Sequence, residues 1–194
     1  MLFFLSLNMK SSFTIVGIAG SLREGSLNKA LLKAAQSAAP AESTFTIVSL
    51  GDLPLYNQDI EVPLPSAVQA FKTAVQNADA LVISTPEYNY SVPGVLKNAI
   101  DWLSRPSGQN SLNEKPCAII GTSPGMLGSA RAQYHLRQIL VGLNVHVLNK
   151  PEIIVPDGGH KFDATGMLTD AKTIEKLKEM LMELAQWTER LRQE

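Results

Sequence analysis

The sequence predicts a doubly wound α/β domain: a five-stranded parallel sheet in the order 2-1-3-4-5, with helices on both faces in a three-layer sandwich. Three observations predict it. Short apolar runs alternate with amphipathic helical patterns five times along the chain, as strand–helix units joined by right-handed crossovers do. The runs over 13–18, 80–84 and 116–121 are almost continuously apolar, which marks strands covered on both faces. The loops that leave those three runs are rich in Gly, Ser, Asn and Tyr, and sheets of this kind bind ligands beyond the carboxyl ends of their strands.

The elements follow in order. Residues 13–18 form the first strand. A helix from about Leu27 to Ala38 sets Leu27, Leu31, Ala34 and Ala35 on one face, and Pro40 stops it. Residues 44–50 alternate polar and apolar at first, the mark of a strand nearer the edge. Pro65 opens a second helix with the buried stripe Val68, Phe71, Ala74, Val75 and Ala78. After the strand at 80–84, Ser91 is the expected N-cap of a helix running to about Ser104, with Pro93 in its first turn. A strand at 116–121, a helix from about Ser129 to Leu140, and a fifth strand at 145–148, extended by 153–155, come next. The last helix begins near Asp170 and packs through Ile174, Leu177, Leu181, Leu184, Trp187 and Leu191.

The composition narrows the function classes. The chain has 194 residues, 45% of them hydrophobic, and a net charge of −1; no nucleic-acid or membrane surface is indicated. A single Cys, Cys117, rules out a disulfide framework and suits a reducing, cytoplasmic compartment. Residues 11–194 read as one domain and residues 1–10 as a disordered tail. The apolar stretch there has no basic residue before it and no small-residue cleavage site after it, so a signal segment is disfavoured. His135, His146 and His160 lack metal-ligand spacing, Cys117 lies inside an apolar strand, and no Gly-x-Ser-x-Gly elbow is present.

In the order 2-1-3-4-5 the first, third and fourth strands are neighbours, so loops 20–28, 85–91 and 122–128 converge on one crevice. The first loop presents Ser21, Arg23, Ser26 and Asn28 at a helix N-terminus, where backbone N–H groups and the helix dipole favour an anion. It lacks the Gly-Lys-[Ser/Thr] ending of a triphosphate loop and the Gly-x-Gly-x-x-Gly spacing of a dinucleotide loop. A phosphate monoester is what remains. The second loop, Pro86-Glu87-Tyr88-Asn89-Tyr90, offers an aromatic face, an amide and backbone groups to a flat heteroaromatic ring. The third, from Ser123 to Gly128, adds backbone donors near another helix N-terminus.

These residues resemble a known family. The blocks over 20–28 and 53–59, and Pro86 to Trp102, are similar in order and sequence to NAD(P)H-dependent FMN reductases, nearest the chromate/quinone reductase and azoreductase branch. Arg131-Ala132-Gln133 and the segment 162–168 look like that branch too. The resemblance implies a flavodoxin-like fold, non-covalent FMN with NAD(P)H as co-substrate, and homodimers or homotetramers. It implies that Ser21, Arg23, Ser26, Leu27 and Asn28 hold the FMN phosphate. Pro86, Glu87, Tyr88, Asn89 and Tyr90 line the ribityl chain and ring, and Ser123 and Gly125 meet the ring edge. It places Tyr56, Tyr90, Trp102 and Arg105 where subunits pair. The family often has a double glycine where this chain has Leu127-Gly128.

The activity so implied passes a hydride from NAD(P)H to FMN and electrons on to a small acceptor: a quinone, azo dye, metal oxyanion or flavin. No side-chain nucleophile is needed, because the cofactor carries the chemistry. The alternative is a flavodoxin-like electron carrier without its own NAD(P)H oxidation; the near-neutral charge speaks against it. A signalling receiver would need an acidic cluster after the first strand, where Ala19-Gly20 stands.

Overall fold

The computed structural model describes residues 13–193; the expected N-terminal tail lies outside the described residues. The elements are β1 (Phe13–Ala19), α1 (Leu27–Ser37), β2 (Ser43–Val48), α2 (Ser66–Asn77), β3 (Ala80–Ser84), α3 (Gly94–Ser104), β4 (Pro116–Thr122), α4 (Ala130–Gly142), β5 (His146–Val147), β6 (Ile153–Val155) and α5 (Ala171–Leu191). All pairs are parallel, and the order is β2-β1-β3-β4-β5 with β6 also paired to β4.

Among the described residues the sheet therefore has six strands where five are expected. Segments 145–148 and 153–155 are separate: β5 pairs with Pro116 and Cys117 at the start of β4, and β6 with Ile120 to Thr122 at its end. Between them Pro151 offers no N–H to a ladder. The Leu148 N–H still donates to the Cys117 carbonyl of β4 at 2.8 Å, while both guanidinium NH groups of Arg137 donate to the Leu148 carbonyl at 3.1 Å.

The all-apolar central strands are explained by two cores. Successive side chains of a strand face opposite ways. Ile15, Val82 and Ile120 face α1 and α5 with Leu31, Leu177 and Leu181; Val16, Leu81 and Ile119 face the other three helices with Phe71, Leu96 and Leu136. Cys117 is in the second core, and burial pushes its thiol up to about 12, which keeps it protonated and inert. Met180 packs in the first core while Met182 is exposed.

Helix starts follow the cap chemistry in two cases. Ser26 accepts from the Lys29 N–H at 3.4 Å, and Asp170 from the Thr173 N–H at 2.9 Å. The expected Ser91 cap is not formed. α3 begins at Gly94 with Pro93 at the cap position, and Ser91 instead closes a tight hairpin with Tyr88. At the other end of α3, the buried Lys72 ammonium donates to the carbonyls of Trp102, Leu103, Arg105 and Gln109 at 2.6–3.4 Å. From α2, 30 or more residues away in sequence, it satisfies carbonyls at the end of α3 and in the loop that follows. Burial lowers its pKa, a pull that the Glu61 carboxylate opposes.

Candidate functional site

The carboxyl ends of β1, β3 and β4 lie side by side, and the three loops leave from them. Asn28, on the first turn of α1, fastens them together. Its Nδ2 donates to the Thr122 carbonyl at 2.9 Å, and its Oδ1 accepts from the Thr122 N–H at 3.0 Å and from Ser84 Oγ at 3.2 Å. The Gly20 N–H donates to the Ser84 carbonyl at 2.8 Å. Asn28 is buried and most of its amide is committed to this tie, leaving one Nδ2 hydrogen for anything else.

The first loop keeps its donors open. Ser21 and Ser26 are buried, and Ser21 Oγ accepts from the Arg23 N–H at 3.3 Å. The exposed Arg23 guanidinium touches only the Gly25 carbonyl, at 2.8 Å, among the described residues. The N–H groups of Leu27 and Asn28, first in α1, donate to no described residue. A cavity of about 430 Å³ opens on this loop, lined by Gly25, Ser26 and Leu27 on one side and Gly159 and Asp163 on the other. A second cavity of about 530 Å³, between α1 and α5, takes in no residue of the three loops.

The second loop is a two-residue hairpin. Tyr88 and Ser91 exchange backbone hydrogen bonds of 3.0 Å, and the residues between them, Asn89 and Tyr90, have φ of +47° and +69°. Positive φ at both positions is what a type I′ turn demands; it suits Asn and costs Tyr. Tyr88 and Tyr90 present exposed rings, and the Arg131 guanidinium lies 3.5 Å from the Tyr90 ring centroid. Pro86 is buried at the base of the loop.

Glu87 points elsewhere. Its Oε2 accepts from the N–H groups of Arg131 and Ala132 at 3.1 and 3.3 Å, and its Oε1 from Arg131 Nε at 2.6 Å. Burial pushes its carboxyl up, but these bonds outweigh burial and hold it below the usual glutamate range. The second loop is tied to α4 a second time, by Ser91 Oγ and His135 Nδ1 at 3.0 Å.

The third loop differs from the expectation of free helix donors. With Arg131 and Ala132 taken by Glu87, and the Ala130 N–H by the Leu127 carbonyl at 2.8 Å, the first turn of α4 has none to spare. Ser123 and Gly125 lie in the open part of the loop, joined by a 3.1 Å bond from Ser123 Oγ to the Gly125 carbonyl. At Leu127-Gly128, the second position is the one that must be glycine. Its φ is +52°, and a Cβ would stand 2.7 Å from the Val155 backbone. Leu127 has no such constraint.

A fourth loop, after β6, was not legible as part of the site. The Gly158 N–H donates to the Ser123 carbonyl at 2.9 Å, and a Cβ on Gly158 would be 2.3 Å from Thr122 Oγ1. The Gly158-Gly159 pair was the available signal. Trp102 corrects an expectation in the other direction: it is wholly buried in its own subunit, with Nε1 donating to the Pro54 carbonyl at 2.9 Å. It cannot face a partner. Tyr56 packs edge-on against Trp102, and its hydroxyl donates to Glu61 Oε1 at 2.6 Å. Arg105 Nε donates to the same oxygen at 2.7 Å, and hydrogen bonds from these two hold the Glu61 carboxyl low.

The chain and its fold match proteins already known. Residues 13–160 match the family model described as NADPH-dependent FMN reductase. An NAD(P)H-dependent FMN reductase of Pseudomonas aeruginosa is 48% identical, the match covering 95% of this chain and all of the relative. A 2-hydroxy-1,4-benzoquinone reductase of a Burkholderia species is 44% identical over 89% of this chain and 94% of its own length. Among solved structures, a flavoenzyme NAD(P)H:(acceptor) oxidoreductase from Paracoccus denitrificans superposes with a TM-score of 0.85 at 40% identity, over 92% of this chain and 98% of that one. Fold, sequence identity and coverage agree in one assignment: the chain is an oxidoreductase belonging to the NADPH-dependent FMN reductase family.

Proposed function

We propose that this chain is an NAD(P)H-dependent quinone reductase that holds FMN non-covalently in the three-loop crevice. The observation that carries the reading is the difference between two helix N-termini. The N–H groups of Leu27 and Asn28 on α1 are free of described partners, whereas those of Arg131 and Ala132 on α4 are taken by Glu87. Of these two helix ends only that of α1 is open to a phosphate monoester, and the Ser21 and Ser26 hydroxyls and Arg23 belong to the loop that leads into it.

In this reading Ser21, Arg23, Ser26, Leu27 and Asn28 hold the phosphate. Pro86, Tyr88, Asn89 and Tyr90 border the ribityl chain and ring, with Glu87 among them through its backbone, and Ser123 and Gly125 border the ring edge. FMN bound there supplies the redox chemistry, accepting a hydride from NAD(P)H and returning electrons to the acceptor. The chain's own part is to orient the ring, leave one face open to both substrates, and place backbone dipoles toward its edge. Relatives named for quinone reduction support a quinone as acceptor; azo dyes, metal oxyanions and free flavin are further candidates for the same site. The lone buried thiol of Cys117 supports a reducing, cytoplasmic setting. A homodimer, alone or paired into a homotetramer, is supported by Leu55 and Val62, which are 84% and 82% exposed in one segment beside Tyr56 and Arg105. Sedimentation showing only monomer at micromolar concentration would count against it.

Apoprotein titrated with FMN and with riboflavin tests the cradle. Arg23→Ala should weaken FMN by roughly 10- to 100-fold, the worth of a hydrogen bond to a charged group, and leave riboflavin unchanged. Wild-type protein that binds both flavins equally, or oxidises neither NADH nor NADPH with benzoquinone present, would sink the reading.

A further inference from the structure

α4 is a helix whose own sequence does not cap it. The residue at the cap position, Ser129, is left-handed (φ +70°, ψ +20°), and its side chain makes no bond to the helix N–H groups. Its hydroxyl, fully buried, receives Gln133 Nε2 instead. A cap residue normally needs extended backbone to turn its oxygen onto the second or third N–H of the helix. Those two N–H groups would be orphans in a buried turn. The acceptor they have is Glu87 Oε2, from a loop 44 and 45 residues earlier in sequence. Its side chain is 8% exposed, and its charge sits at the positive end of the helix.

The position of this cap matters more than its strength. Glu87 belongs to the hairpin loop on one side of the crevice, and α4 begins where the loop on the other side ends. The same carboxylate holds the Arg131 guanidinium, and the guanidinium covers the Tyr90 ring. One side chain thereby joins both loops and the exposed aromatic of the first.

Resting on the FMN reading of the crevice, we propose that Glu87 is a positioning residue: its carboxylate caps α4 across the crevice, fixes the gap between the two ring-bordering loops, and so sets FMN affinity without touching the flavin. Arg131 acts through it. With Glu87 truncated, the first turn of α4 loses its acceptor and Arg131 loses its anchor, so both loops relax together. A ligand role would act differently, through the electronic environment of the ring.

The test uses full-length apoprotein of wild type, E87A, R131A and the double variant, each checked for folding by circular dichroism. Amide hydrogen exchange reads the cap without any flavin. The Ala132 amide should exchange at least tenfold faster in E87A and within threefold of wild type in R131A. FMN titration should show Kd raised at least tenfold in E87A, less in R131A, and no further in the double variant than in E87A. The flavin absorbance maxima of FMN-saturated E87A should match wild type. Unchanged exchange at Ala132, an E87A Kd within threefold of wild type, multiplying single-variant effects, or shifted absorbance maxima would each overturn the proposal. Wild-type apoprotein that binds no FMN would overturn the functional reading, whereas the exchange result stands on its own.

Discussion

Asn28 and Thr122 form a reciprocal amide pair, 94 residues apart in sequence: each donates one hydrogen bond to the other, at 2.9 and 3.0 Å. The side chain of Asn28 imitates one more rung of the sheet, joining the start of α1 to the end of β4. Ser84 Oγ adds a bond from the end of β3. Three loops from three strands therefore keep a fixed relation before any ligand arrives, which is what pre-organisation of a binding crevice requires.

Replacing Asn28 by Ala leaves the buried N–H and carbonyl of Thr122 unpaired. An orphaned buried group costs about 1–3 kcal/mol, so two should cost about 2–6 kcal/mol of unfolding free energy. Asn28→Asp should do little better, because it restores an acceptor for the Thr122 N–H but sets an oxygen against the Thr122 carbonyl. Urea unfolding at neutral pH measures both. A loss below about 1 kcal/mol in N28A would show that the pair contributes little to the fold.

Asp79 makes a comparable tie at the opposite end of the sheet. Its Oδ2 accepts from the Thr14 N–H and Oγ1, both at 2.8 Å, and Arg192 at the end of α5 pairs with its other oxygen. Burial raises its carboxyl pKa, but the Thr14 bonds and Arg192 outweigh it and hold the group below the ordinary 3.8. The folded value lies below the unfolded one, so the unfolded chain binds the proton first as pH falls. The stabilisation is complete above the unfolded value and is lost as pH drops through the folded one. The stability difference between wild type and D79N should therefore be constant above about pH 5 and shrink below 3.8. A difference that grows on acidification would reverse the sign of the argument.

What the sequence made legible, and what it did not, divides along range. The apolar runs of β1, β3 and β4 follow from burial on both faces, a local pattern, whereas the cap expected at Ser91 does not form and the side-chain caps of α1 and α5 are Ser26 and Asp170. The convergence of loops 20–28, 85–91 and 122–128 follows from strand order alone. Lys72 sits on the same helical stripe as Val68, Phe71 and Val75 and looks in sequence like a solvated rim residue. Its worth lies in four carbonyls that only the tertiary fold brings to it. Glu87 is the same case within the site. An acidic residue in a ligand loop suggests a ligand contact, and nothing in its neighbourhood reveals that α4 lacks a cap of its own. Trp102 ends the block that resembles the family, three residues before Arg105, but the helical stripe of α3 turns it inward.

Tyr90 is the position where backbone and side chain pull against each other. Its φ of +69° costs a residue with a Cβ about 1–2 kcal/mol relative to glycine, while its ring gains about 0.5–1 kcal/mol from Arg131 at an exposed site. The two terms nearly cancel, so Tyr90→Gly should change the unfolding free energy by no more than about 1 kcal/mol. A strained aromatic held at a crevice loop points to a use for the ring. If the ring borders the flavin, its removal should weaken FMN by about 3- to 10-fold, the worth of one aromatic contact. Tyr90→Phe, with the same ring and the same backbone strain, should stay within about twofold of wild type. Urea unfolding and FMN titration of the two variants separate the contributions. FMN affinity equal in Y90G and wild type would mean that the hairpin holds Tyr90 for Arg131 alone, and the aromatic border of the crevice would then fall to Tyr88.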